Sequence, residues 1–249
     1  MRWGRLFNPR WARGEWRKTN LGTTVLFTLV AISSVMVALF VVGPLLLVRA
    51  RVEDQSGRAG ALLYFACLGV GFIVVELAMV QKCVLFLGHP AYALTVVLFA
   101  VLVFSGLGSA LTARWPTERL RRFLTRVLPS VAAIVVAYVL LLAPVFYGLV
   151  HLGPGSRVAV TVLLLAPLGL LLGMPMPAGL RLLAARAPGL VPWAWGVNGA
   201  ASVLGSSAAV ALAMLLGFDR TLLVGAGFYL VAFALVARGA VAPTGVEGG

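Results

Sequence analysis

Residues 59–86 read AGALLYFACLGVGFIVVELAMVQKCVLF. Apart from Glu76 and the Gln81-Lys82 pair near its end, the run carries no strongly polar side chain. A helix rises about 1.5 Å per residue and a bilayer's hydrocarbon core is about 30 Å thick, so roughly 20 apolar residues cross it. The run is long enough to cross and too long for an ordinary strand. In hydrocarbon, backbone N–H and C=O groups must bond within the chain, which predicts a helix. Barrel strands would show short alternating segments instead.

Six more runs share this character, at residues 21–48, 91–113, 127–150, 158–183, 193–216 and 221–237. Their connections are short and rich in turn residues: Gly88-His89-Pro90, Gly153-Pro154-Gly155 and Pro188-Gly189. The expected fold is all-α, a polytopic transmembrane helical bundle of about seven spans over residues 21–237. A basic, Trp-rich interfacial tail precedes it at residues 1–20, and a flexible C-terminal tail follows at residues 238–249. The first run is longer than the ~7–15 residues of a signal-peptide core.

Composition agrees with this class. Of 249 residues, 61% are hydrophobic and 11% charged, with a mean hydropathy of +1.05. Soluble domains average about 45–50% apolar and about 25% charged. A water-soluble enzyme is excluded, and so is a disordered chain. Cys67 and Cys83 are separated by about 24 Å on one helix, too far to bridge. Two His and seven acidic residues leave little for metal ligation or acid–base work. No phosphate loop, H-E-x-x-H or G-x-S-x-G occurs. No catalytic residue, cofactor or metal is assigned, and a membrane enzyme acting on lipid is the weakest reading.

The net charge of +13 lies between the apolar runs, where basic residues set topology and meet anionic lipid headgroups. This favours the bilayer as partner over nucleic acid. With seven alternating spans, eleven basic residues fall on one side and eight on the other, six of the eight in the N-terminal tail. The positive-inside rule then puts the loop-rich side in the cytoplasm.

Glu76 is the first site candidate. A charge at mid-helix costs about 2.5–3.5 kcal/mol on insertion scales, and such residues face a bundle interior or a wet cavity. It reads either as a protonatable group for a cationic substrate or as a neutral carboxyl bonded to a neighbouring helix. Gln81 and His89 are further substrate candidates, although His89 also suits a plain turn. Lys82 is expected to snorkel rather than pair with Glu76, six residues away. Pro175 and Pro177 predict a kink, with Gly169 and Gly173 as a GxxxG packing pair. A broken helix can line a transporter site, or simply pack. Gly199, Ser202 and Gly205 form a small-residue strip for helix packing, and Asn198 reads as an interhelical hydrogen-bonder or a polar substrate contact.

In order along the chain stand Tyr-Phe-Ala-Cys-Leu-Gly-Val-Gly-Phe from Tyr64, Glu76, Gln81-Lys82, Gly88-His89-Pro90, and Phe104-Ser105-Gly106-Leu107-Gly108-Ser109. Gly173-Met174-Pro175-Met176-Pro177-Ala178-Gly179 and Trp193-Ala194-Trp195-Gly196-Val197-Asn198-Gly199 follow. The succession, over residues 64–218, resembles the C-terminal membrane region of bacterial spermidine-synthase-like polytopic proteins. In that family, helices of major-facilitator-like appearance are fused to an aminopropyltransferase-like domain that binds S-adenosylmethionine. This sequence shows no such domain, which puts catalysis and nucleotide binding by this chain in doubt. The resemblance implies a multi-pass protein of the bacterial cytoplasmic (inner) membrane. It implies that Glu76 and Asn198 occupy recurring motif positions. The residues themselves lead to the expectation of a transport-like or scaffold role, with a cationic amine handled at the Glu76 carboxylate, or alternatively of a membrane partner that docks a separate aminopropyltransferase-like enzyme.

Overall fold

Every element among the described residues is a helix, as hydrocarbon requires of a backbone with no other hydrogen-bond partner. A computed structural model describes residues 21–39, 43 and 57–241, and among these there is no strand. The elements are α1 (Leu21–Val37), α2 (Arg58–Leu87), α3 (Pro90–Thr112), α4 (Thr117–Leu149), α5 (Pro154–Gly173), α6 (Pro175–Arg186), α7 (Val191–Leu216) and α8 (Phe218–Ala237). A 3-10 turn, Pro188–Leu190, joins α6 to α7. The N-terminal tail lies outside the described residues. So does the C-terminal tail beyond residue 241.

Among the described residues, six spans are long and apolar enough to cross a membrane: α2, α3, α4, α5 with α6, the 3-10 turn with α7, and α8. The chain is an integral membrane protein by this architecture. The remaining expected span corresponds to α1, whose 17 residues rise about 26 Å, short of a full crossing. The rest of that run, except Ala38, Leu39 and Gly43, falls outside the described residues. α4 starts ten residues before its apolar run. Its first turns are amphipathic: Leu120, Leu124 and Leu128 are buried, while Arg119, Arg122 and Arg126 are exposed. A hydropathy reading stops at those charges, but the helix does not.

α2 is the centre of the bundle. Its most apolar window is 67% buried, against 17–39% for the other five spans. Large apolar side chains on the outer helices point outward, Leu140, Leu163 and Tyr147 among them, as a lipid-facing surface should. Glycines let the backbones close up. A Cβ at Gly173 would fall inside the Ser105 carbonyl, one at Gly108 inside the Leu170 carbonyl, and one at Gly69 inside the Asn198 carbonyl. Gly169 sits against Phe104 Cβ (2.8 Å) and Gly205 against Ile73 Cγ2 (2.7 Å), both measured to the place a Cβ would take. These contacts pair α3 with α5 and α2 with α7.

The two ends of the bundle differ in charge. Arg58, the five Arg of residues 114–126, Arg181, Arg186 and Arg238 gather at one end. Several of them finish helices: Arg181 Nη1 donates to Thr112 O (3.1 Å) at the end of α3, and Arg121 Nη2 to Ala237 O (3.0 Å) at the end of α8. Residues 238–241 pack on this end, with Val241 buried and Gly239 O accepting from Arg186 Nη1 (3.3 Å). At the far end, Arg157 donates to Leu152 O (2.9 Å), Phe86 O (3.2 Å) and Val150 O, closing the ends of α2 and α4. Lys82 is ion-paired with Asp219, not with Glu76. Cationic side chains at helix C-termini satisfy orphan carbonyls and complement the dipole.

The packing makes a contrast testable by thermal unfolding in detergent. Gly173→Ala, which puts a methyl into backbone, is expected to destabilise by about 1–3 kcal/mol. Gly199→Ala is expected to be neutral or to stabilise by up to about 1 kcal/mol, because no neighbouring atom lies within 4 Å of its would-be Cβ.

Candidate functional site

The α5–α6 span is interrupted where Pro175 and Pro177 remove two backbone donors. Met174 N reaches Leu171 O instead (3.4 Å), and Ala178 N reaches Met174 O (3.3 Å). The Gly173 carbonyl loses its helical donor, since residue 177 is proline. Tyr64, fully buried on α2, donates its hydroxyl to Pro175 O (2.8 Å). Its ring lies over Gly179, where a side chain would collide with it. The break is thus held by a specific partner on the central helix.

Beside the break is a cavity of about 530 Å³. Leu68, Gly69 and Phe72 of α2 form one wall, and Leu102, Ser105, Gly106 and Ser109 of α3 another. Leu172 and Gly173 of α5 with Met176, Pro177 and Leu180 of α6 form a third. Trp195, Asn198 and Ser202 of α7 and Tyr229 of α8 complete it. The lining is largely apolar, with a few convergent polar groups, as small-molecule sites usually are. Asn198 Nδ2 donates to Phe65 O (3.0 Å), and Ser202 Oγ lies 3.2 Å from Gly69 O and 3.0 Å from Asn198 O. Ser105 Oγ is turned to its own helix, at 3.2 Å from Leu102 O. Among the described residues, the amide oxygen of Asn198 and the hydroxyl of Ser109 have no hydrogen-bond partner.

The four substrate candidates do not converge. Asn198 lines the cavity. Glu76 lies on the α2 stripe that continues from Leu68, Gly69 and Phe72, one turn past Phe72, but does not line it. It is 7% exposed and makes no hydrogen bond or ion pair among the described residues, with Tyr229 within electrostatic range. Among the described residues, the side-chain polar atoms sealed without a partner are two nitrogens of Arg58. The Glu76 oxygens are not among them, so the carboxylate keeps a narrow opening. Gln81 is exposed and lines a separate space of about 220 Å³ with Leu77, Ala209 and Phe218. His89 precedes α3, its Nδ1 accepting from Ala91 N (3.2 Å), which is the geometry of a cap.

Pro175 and Pro177 sit at the break, and Gly169, Gly173, Ser202 and Gly205 at helix contacts. Gly199 is exposed on α7. Among the described residues no cluster of three or more His, Cys, Asp or Glu side chains is placed to hold a metal. Sequence reasoning missed Ser105, Ser109, Tyr64 and Tyr229. The two serines share one helical face at i, i+4 spacing, which is a readable signal. The tyrosines stand in apolar surroundings and carry none.

Compared with known proteins, the chain matches no family model, no curated sequence and no solved structure. The fold and the cavity define a class, a polytopic helical membrane protein with a broken-helix site.

Two substitutions probe how the site is held. Tyr64→Phe deletes the bond to Pro175 O and is expected to cost about 1 kcal/mol in a reversible unfolding assay in micelles. Asn198→Ala deletes the bond to Phe65 O and should cost about 0.6–2 kcal/mol. No change in either would mean that these bonds do not hold α2 against its neighbours.

Proposed function

We propose that this chain is a transport-like membrane module that handles a molecule bearing a cationic amine, with the cavity at the break as its port and Glu76 as the counter-charge. The observation that carries the reading is Glu76 itself, 7% exposed in the central helix and without an ion-pair partner among the described residues. An ammonium group would neutralise it in a medium where an unpaired charge is costly, and protonation would release the guest. The resemblance to spermidine-synthase-like membrane regions supports a polyamine as that guest. Positive-inside logic supports a bacterial inner membrane with the Arg-rich end toward the cytoplasm.

Purified protein in proteoliposomes, with radiolabelled spermidine across a pH series, tests this. Wild-type uptake is expected to depend on pH, and Glu76→Gln is expected to abolish uptake while still inserting. Asn198→Ala should raise KM. Uptake by Glu76→Gln equal to wild type would remove Glu76 from the mechanism.

Exposed Arg114, Arg119, Arg122 and Arg126 favour a second reading, a membrane partner that docks a separate S-adenosylmethionine-dependent aminopropyltransferase-like enzyme. Replacing all four with Gln should then release that enzyme from the purified complex. Recovery of the same complex would exclude this surface as the dock.

A further inference from the structure

Arg58, the first residue of α2, is 8% exposed, yet its Nη1 and Nη2 are fully sealed and have no hydrogen-bond partner among the described residues. A guanidinium carries five donors and does not deprotonate, so burying it without an acceptor is strongly unfavourable. Three further observations concern the same helix start. The helix begins at Gly57 without any side-chain cap, leaving its first N–H groups free at the positive end of a 30-residue dipole. Gly57 takes the left-handed conformation (φ 91°), and its missing side chain admits a second guanidinium. The place a Cβ would take is 2.8 Å from Arg186 Nη2 and 3.0 Å from Arg186 Nη1. Finally, Glu118 is the one acidic residue described at this Arg-rich end.

We propose that the start of α2 is an anion site, in which Arg58, the Arg186 guanidinium and the uncapped α2 N–H groups receive a phosphate group, supplied by an anionic lipid headgroup. A helix N-terminus with flanking guanidinium groups is suited to phosphate oxygens. The start of a membrane span is the depth at which headgroup phosphates lie. The site is distinct from the cavity at the helix break, and its standing does not depend on the transport reading.

The test uses the purified full chain in detergent, read by native mass spectrometry and by thermal unfolding. Phosphatidylglycerol, phosphatidylcholine and inorganic phosphate are added separately. Retained phosphatidylglycerol and a lipid-dependent rise in Tm are expected for wild type. Both should be lost in Arg58→Gln and partly kept in Arg58→Lys. A response to phosphatidylglycerol alone supports the lipid as source. An equal response to inorganic phosphate supports the phosphate site with a free anion as its source. If Arg58→Gln does not fold, Arg186→Gln is the second variant, expected to lower retained phosphatidylglycerol. The proposal is overturned by wild-type retention in both foldable Arg variants, or by an equal response to phosphatidylcholine. It is also overturned if the double variant Glu53→Gln, Asp54→Asn loses stability as Arg58→Gln does and wild type retains no lipid. The chain's own acids would then be the anion.

Discussion

Hydrocarbon offers a backbone amide nothing to bond with, and the whole structure follows from that constraint. Helices must run unbroken through the apolar layer, and any group they release must be met by another part of the chain. Where helices end, the chain supplies donors: Arg181 to the end of α3, Arg121 to the end of α8, Arg157 to the ends of α2 and α4. Where a span is interrupted within the layer, Tyr64 of the central helix meets the Pro175 carbonyl. Basic residues that set topology therefore also complete the secondary structure.

The same constraint explains why the interruption coincides with a cavity. Irregular backbone at membrane depth persists where protein or a cavity covers it. Here α3 closes on α5 through Gly108, Gly169 and Gly173, and α2 closes on α7 through Gly69 and Gly205. Tight contacts on both sides leave a space between them, beside Met176 and Pro177. The cavity lies between these two glycine-packed pairs, where the α5–α6 span is interrupted. Glu76 lies one turn further along the same α2 stripe, 7% exposed and within electrostatic range of Tyr229.

Much of this is legible in the sequence alone. Runs of apolar residues long enough to cross a bilayer announce spans by length alone, and Pro175 and Pro177 mark the kink by chemistry. The start of α4 was not legible, because Arg119, Arg122 and Arg126 lower the local hydropathy while their helix continues beneath them. The partner of Lys82 was hidden for another reason. Asp219 belongs to a different helix, and spacing along one chain says nothing about pairs between helices. The strip of small residues on α7 was readable as a pattern but not by position: Gly205 meets α2, while Gly199 faces open space. Arg58 looked like one more flanking charge, since burial of a terminal guanidinium is a property of the assembled bundle.

The break with its cavity is the central claim, and amide hydrogen exchange of the protein in lipid nanodiscs measures it directly. Peptides covering residues 171–180 should exchange faster than those covering residues 158–170 of the same span and residues 221–232 of α8. Uniform protection along the whole span would contradict an open, interrupted helix and the site built on it.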